Sequence, residues 1–494
     1  MISQHLPILQ IVLPLLAAPV CIFIRHPKMV WIWSVVITWM CLPMSIELLV
    51  RVLDSGTIVY ELGSWAAPWG IEYRVDTLNA FVLVIVSSIS TVVMPFARKT
   101  VEREIPANRI YLFYAMLLLC MTGLLGITIT GDAFNLFVFL EISSLSTYVL
   151  ISFGKDRRAL TAAYRYLIMG TIGATFYIIG VGLMYMVTGS LNITDLANLV
   201  PAIADNRTIQ AALGFLTVGL ALKAALFPMH MWLPNAYAYA PSAVTVFLAS
   251  TATKVAIYAF IRVVFTIFGD IDILAVLPVR SLLMSLAVVA IFAGSAVAIY
   301  QTDAKRLLAY SSVAQIGYIV LGVSFDSVAG VTAGIVHLFN HALIKGGLFM
   351  AIGATTYRIG SHKIEDMAGI GKRMPFTMAA FVAGGLSLIG MPLTAGFISK
   401  WYLIQAALEA GWWPLAVLVV LSSLLTVIYV WRIVEIAYFK PPPQDVKKLD
   451  PAPFSLLLPM WVLIGATIYF GIDATTTLHV ASTAAKVLLL GGTP

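Results

Sequence analysis

Long apolar runs follow one another along this chain, and they decide what it can fold into. Stretches of roughly 17–25 apolar residues or more, the length that crosses a hydrocarbon core as a helix, fall near 6–24, 29–50, 78–97, 110–130, 133–153, 160–188, 208–232, 241–266, 280–301, 304–324, 328–356, 375–407, 411–436 and 454–473. In lipid the backbone must satisfy its own hydrogen bonds, so such runs are helices. The expectation is an all-α, polytopic membrane protein with about fourteen transmembrane helices; the tail from Ala474 is left undecided. Composition agrees: 61% of residues are hydrophobic and 11% charged, which excludes a soluble globular class. The formal charge of +7 does not indicate nucleic acid, because the basic residues are scattered over short loops. Cys21, Cys41 and Cys120 lie far apart in apolar runs, with no metal or disulfide spacing. The N-terminus lacks a basic n-region and an A-x-A site, so the segment from Leu6 reads as a retained span.

Loop charge sets the expected orientation. Eighteen basic residues, among them Arg25, Arg103, Lys155, Lys305, Lys363, Lys440, Lys447 and Lys448, collect on one side, against Arg51, Arg74, Arg207, Arg280 and Lys486 on the other. The first side is expected to be cytoplasmic and both termini outward-facing. Seven basic residues remain inside spans. Arg165, Arg262 and Arg432 lie near span ends and are expected to snorkel to headgroups. Lys223, Lys254, Lys345 and Lys400 sit deeper.

Lys223 stands five residues before Pro228, with His230, Trp232, Pro234 and Pro241 following. A charge in hydrocarbon and a proline that frees backbone carbonyls, met together, usually mark an ion path. Laying Tyr148-Val149-Leu150-Ile151 on Tyr318-Ile319-Val320-Leu321 brings Lys223 close to Lys400, and Pro392 interrupts the second segment as Pro228 does the first. The organisation expected is an N-terminal group at 1–109, a five-helix unit at 110–266, a second at 280–436, inverted by its odd number of spans, and a last helix and tail at 437–494. Each of the two inverted repeats carries a broken helix.

Glu141 is about mid-membrane in GDAFNLFVFLEISSLSTYVL, with Ser143, Ser144 and Ser146 beside it. Lys223 is its natural partner. Burial favours a neutral amine and a nearby carboxylate favours the ammonium, so an approaching or receding Glu141 would make Lys223 hold or release a proton. Lys254 is flanked by Ser250, Thr251 and Thr253. His337, His341 and Lys345 are spaced by four and share a helix face, a stripe about 12 Å long that suits a relay. A His-x3-His pair can bind zinc, but no third ligand is near, and no metal or cofactor is expected. Lys400 lies by the second break, with Gly390, Thr394, Gly396 and Ser399 around it. His230 could bridge Lys223 and Lys254 through water. Asp132 reads as a helix cap. Asp76 begins a span, with its neighbour Arg74 the default ion-pair partner.

FPMHMWLPNAYAYAP, GDAFNLFVFLE, TATKVAIYAFIR and AYSSVAQIGYIVLG together resemble the antiporter-like membrane family shared by respiratory complex I and Mrp-type multisubunit Na+/H+ antiporters, most strongly over about 75–430. Complex I members usually have aspartate and histidine where this chain has Asn235 and Tyr237. GDAFNLFVF, TKVAIYAFIR and Lys400 are more similar to the Mrp D subunit. The resemblance implies that Glu141, Lys223, Lys254, His341 and Lys400 line a proton-conducting axis, and that the chain works with other membrane subunits in a hetero-oligomer. The function expected is that of a secondary transporter subunit, not an enzyme, in a bacterial cell membrane: proton translocation coupled to Na+ efflux along Glu141, Lys223, Lys254, His337 and His341, leaving near Lys400. The alternatives are a proton-pumping subunit of a complex I-like or hydrogenase-linked assembly and a stand-alone ion-coupled symporter.

Overall fold

A computed structural model describes residues 2–269, 279–442 and 450–490; the loop charges Lys447 and Lys448 lie outside the described residues. Among the described residues the regular structure is helical apart from one antiparallel hairpin, β1 (Ile58–Glu61) and β2 (Glu72–Val75), with Ile58 opposite Val75. The helices in order are α1 (Leu6–Ile24), α2 (Pro27–Ser55), α3 (Thr77–Glu104), α4 (Ile110–Ile129), α5 (Ala133–Ser152), α6 (Arg158–Thr188), α7 (Ile193–Leu199), α8 (Arg207–Lys223), α9 (Leu233–Tyr239), α10 (Ser242–Ser250) and α11 (Ala252–Arg262). Then come α12 (Val279–Ile299), α13 (Ala304–Ser324), α14 (Val328–Ile359), α15 (Ile370–Arg373), α16 (Pro375–Ile389), α17 (Ala395–Glu409), α18 (Trp413–Phe439), α19 (Phe454–Ile472) and α20 (Thr475–Leu490).

Among the described residues, 12 helical segments are long and apolar enough to cross a membrane. The expected fourteen would need the two broken segments, α8–α9 and α16–α17, each to count as a further crossing. The undecided tail forms α20. Burial sorts the helices by what surrounds them. The most apolar window of α14 is entirely buried, whereas those of α2 and α18 are each 33% buried and present Trp39, Leu424 and Trp431 outward. A helix apolar on all sides belongs inside a bundle or against lipid. Here α14 is the inner pillar, packed by α3, α10, α13, α16, α17, α19 and α20.

Both expected breaks are present, and each satisfies its freed carbonyls in its own way. After α8, Ala225 takes a left-handed φ of 56°, Leu226 N–H donates to Ala221 O at 2.9 Å and the Trp232 indole N–H to Leu222 O at 3.0 Å. After α16, Gly390 (φ 92°) turns the chain and Met391 N–H donates to Leu386 O at 3.0 Å. A third break carries no sign in the sequence. The span expected at 241–266 is interrupted at Thr251, where φ −124° and ψ −58° separate α10 from α11, and a π-turn (Val263–Ile267) follows α11. Thr251 Oγ1 donates to Phe247 O at 2.7 Å, the back-bonding that bends helices.

Two snorkelling expectations are corrected. Arg262 does not reach for headgroups: its Nη1 lies 2.7 Å from Asp76 Oδ2 and its Nη2 donates to Asp76 Oδ1 at 2.8 Å, a bidentate pair with both side chains nearly buried. Asp76 therefore pairs with Arg262 and not with Arg74, and it also caps α3 by accepting from Asn79 N–H at 3.1 Å. Arg432 caps α12, donating to Ile299 O at 2.5 Å and Gln301 O at 2.9 Å. Carbonyls at a helix end, where the dipole is negative, hold a guanidinium in place. Arg165 is exposed. Asp132 caps α5 as expected, accepting from Asn135 N–H at 2.6 Å.

Candidate functional site

Two groups of ionisable side chains lie inside the bundle. In the first, α5 presents Glu141 to the last residue of α8. Lys223 Nζ is 3.6 Å from Glu141 Oε1 and 2.5 Å from Ser144 Oγ, to which it donates. The Lys223 side chain is 4% exposed and that of Glu141 25%. Of the three serines expected to serve Glu141, Ser144 serves the lysine instead. Ser143 and Ser146 donate back to Leu140 O and Ile142 O, which leaves Lys223 as the partner of Glu141 among the described residues.

The second group is built on α14. Four-residue spacing does place His337 over His341, with ring centroids 6.1 Å apart and planes 13° from parallel. His337 is held at both nitrogens, by Ser399 Oγ at 2.8 Å and Gln315 Oε1 at 3.0 Å. His341 is fully buried, and neither of its ring nitrogens has a hydrogen-bond partner among the described residues. One turn on, Lys345 donates to Leu308 O at 2.8 Å and to Ser311 Oγ. Lys254, from α11, donates to Ala249 O at the end of α10.

Lys400 reaches back from α17 across the second break. It donates to Leu388 O at 3.2 Å, Ile389 O at 2.9 Å and Ser423 Oγ at 3.0 Å, and its ammonium lies 4.9 Å from the Tyr318 ring centroid. The two lysines matched in sequence thus stand on opposite sides of their breaks: Lys223 ends the first half, Lys400 follows from the second. Lys254 and Lys400 share one device, since the ammonium of each meets carbonyls at a helix C-terminus, whose negative dipole end steadies it; Lys223 relies instead on Glu141 and Ser144. Gly390 makes room for Lys400. A Cβ there would lie 3.0 Å from Lys400 Cδ, at a backbone φ of 92°. Gly390→Ala is expected to cost about 1–2 kcal/mol from the backbone alone and to push Lys400 off its carbonyls. Thermal unfolding and exchange assays of the assembled protein check both.

The groups are not joined to each other. Among the described residues no hydrogen bond or ion pair links Lys223 to Lys254. His230 stacks on Phe227 at 5.2 Å, with its Nδ1 unpartnered among the described residues, and bonds to neither lysine. Sequence reasoning misses Gln315, Ser311 and Ser423, polar partners on other helices whose roles only the fold exposes, and it places Ser399 beside Lys400, whereas the hydroxyl bonds to His337. Pro228 lies within the first break, Pro234 opens α9 and Pro392 lies in the second break.

Fold and site together define a polytopic membrane protein with a buried row of lysines and histidines, a carboxylate at one end, and interrupted helices beside them. The chain belongs to the family described as NADH:quinone oxidoreductase/Mrp antiporter, transmembrane, whose profile matches residues 130–426. It is 41% identical over 480 residues to the N subunit of the NADH-quinone oxidoreductase of Desulforudis audaxviator, covering 94% of this chain and 93% of that one. It is 31% identical to the D subunit of the Na(+)/H(+) antiporter of Alkalihalophilus pseudofirmus, covering 95% and 94%. The structure superposes on a chain of the Mrp complex from a Dietzia species with a TM-score of 0.90, at 27% identity, covering 99% of this chain and 98% of that one.

Proposed function

We propose that this chain moves protons across a bacterial membrane as one subunit of a multisubunit monovalent cation (Na+)/proton antiporter. The observation that carries the reading is the row Lys254, Lys345, His341, His337 and Lys400, buried throughout, with the His337 and His341 rings 6.1 Å apart at its middle. Ionisable groups in a membrane interior are costly and seldom retained for structure alone. Adding a proton at one site disfavours a proton at the next, so a charge arriving at Lys254 is passed on toward Lys400. Glu141 and Lys223 form the other end; the withdrawal of the half-buried Glu141 from Lys223 would release that lysine's proton toward the break and His230. Each broken segment crosses the membrane as one unit in this reading, the two five-helix units being inverted copies, and the face with Lys155 and Lys363 is cytoplasmic.

A second reading is favoured by the 41% identical oxidoreductase relative: the same relay powered by a quinone-reducing assembly. Vesicles holding the chain together with the products of its neighbouring genes separate the two. An imposed Na+ gradient should move protons, reported by a pH-sensitive dye, without any electron donor, and the chain alone should be inactive. Proton movement that appears only with an electron donor and quinone would reject the antiporter reading. Full activity of the chain alone would favour a stand-alone symporter.

A further inference from the structure

Tyr148 of α5 is buried, 6% exposed, and its hydroxyl has no partner among the described residues. A buried hydroxyl left so carries a desolvation cost that nothing offsets, yet its surroundings fix it in place. Helix α6 closes over the phenol at Gly170, where a Cβ would overlap Tyr148 Oη, and over Leu222 of α8 at Gly173. These two contacts are three residues, about 4.5 Å, apart along α6. The ring is held as well. It meets Tyr166 edge-on with centroids 4.9 Å apart, Tyr166 stacks on Trp232 at 3.8 Å, and the Trp232 indole N–H holds Leu222 O. Lys223 is the next residue. A wall of three aromatic rings therefore runs from α5 to the first break and seats the phenol beside the end of α8.

Lys223 donates to Ser144 Oγ. Ser144 and Tyr148 are four residues apart on one face of α5, about 6 Å along its axis, a distance suited to the flexible four-carbon stem of a lysine. The second broken segment supplies a parallel. Tyr318, the residue matched to Tyr148 in the sequence, stands on α13, and the Lys400 ammonium lies 4.9 Å from its ring centroid. Its hydroxyl is 2.6 Å from Ser422 Oγ. Each of the two lysines has the matched tyrosine of its own unit nearby, and among the described residues only Lys223 also meets a carboxylate. We propose that Tyr148 is a positioning residue for Lys223: when Glu141 withdraws, the ammonium turns from the carboxylate to the phenol oxygen, which holds it until its proton leaves. The inference rests on the relay reading and adds a residue to it.

The pH profile of exchange tests it. The titratable groups around the pair are Glu141 on α5, Cys120 of α4, bonded to Thr147, Tyr166 of α6 and Tyr237 of α9, the helix packed on α5 and α6. Helix α11, packed on α8, brings Lys254 and Tyr258, which bond elsewhere, to Ala249 O and Thr128 O, and His230 stacks on Phe227. Tyr148→Phe keeps the ring and removes only the oxygen. In the assembled complex, thermal unfolding should be unchanged or slightly higher, and Na+-driven exchange should fall about tenfold, the weight of one hydrogen bond to a charged group. The alkaline limb of the pH profile should move about one unit toward acid, because an ammonium that loses an acceptor releases its proton at lower pH. Should Tyr148→Phe fail to assemble, 4-aminophenylalanine at position 148 keeps the shape, replaces the oxygen by a poor acceptor and should move the limb the same way. A limb that stays in place, with exchange either unchanged or lowered together with stability, overturns the proposal. Lys223→Ala keeps the two readings apart: exchange retained there sinks the relay, whereas a dead Lys223→Ala beside an unmoved Tyr148→Phe profile sinks the role of the tyrosine alone.

Discussion

Arg262→Ala is expected to destabilise the protein by about 3–5 kcal/mol, the cost of leaving a buried charge without its partner. The pair is bidentate, with Arg262 11% and Asp76 9% exposed, so water cannot readily replace the guanidinium. Burial alone would raise the Asp76 carboxyl's proton affinity, but the charge and hydrogen bonds of Arg262 and the Asn79 amide outweigh it and hold the group below the ordinary carboxylate range. With the folded value depressed, this contribution is present above the unfolded carboxylate's pKa, about 4, and is lost as pH falls through the folded value. The double variant Asp76→Asn/Arg262→Met should recover most of the loss, since asparagine keeps the α3 cap and methionine fills the space without a charge. Denaturant or thermal unfolding of the purified protein reads both; an unstable double variant would show that the pair matters for more than its charges.

The second large effect runs the other way on stability. His341→Leu should keep or raise stability, by up to about 1–2 kcal/mol, because it removes two buried ring nitrogens that have no partner among the described residues and so relieves their desolvation cost. Exchange should nevertheless fall by about a hundredfold or more, the usual weight of a positioned proton-transfer group. His337 supplies the contrast: bonded to Ser399 and Gln315, it should lose stability when replaced by leucine. A His341→Leu protein that unfolds early but exchanges normally would make the imidazole a structural residue and break the relay at its middle.

How legible these features are in the sequence depends on how local they are. The apolar runs, both proline-marked breaks, the cap at Asp132 and the shared face of His337, His341 and Lys345 follow from spacing within one segment. The Glu141–Lys223 pair is readable because each residue is conspicuous in lipid and has few candidates for a partner. What stays hidden is set by contacts between distant segments. Asp76 and Arg262 are 186 residues apart, and nearby Arg74 is the more obvious partner. Lys305 looks like a loop charge until α9 and α10 close over it. The interruption at Thr251 carries no proline or glycine, only a threonine that bonds backward. The carbonyl that holds Lys254 is exposed by that same kink.

In the proposed relay protons pass through the bundle from group to group, and Lys254 is the lysine that α11 adds to the row on α14. Reconstituted complexes carrying Lys254→Leu, with assembly verified by co-purification of all subunits, should show dye-reported Na+-driven proton movement reduced by about a hundredfold or more. Wild-type rates from a fully assembled Lys254→Leu complex would contradict it.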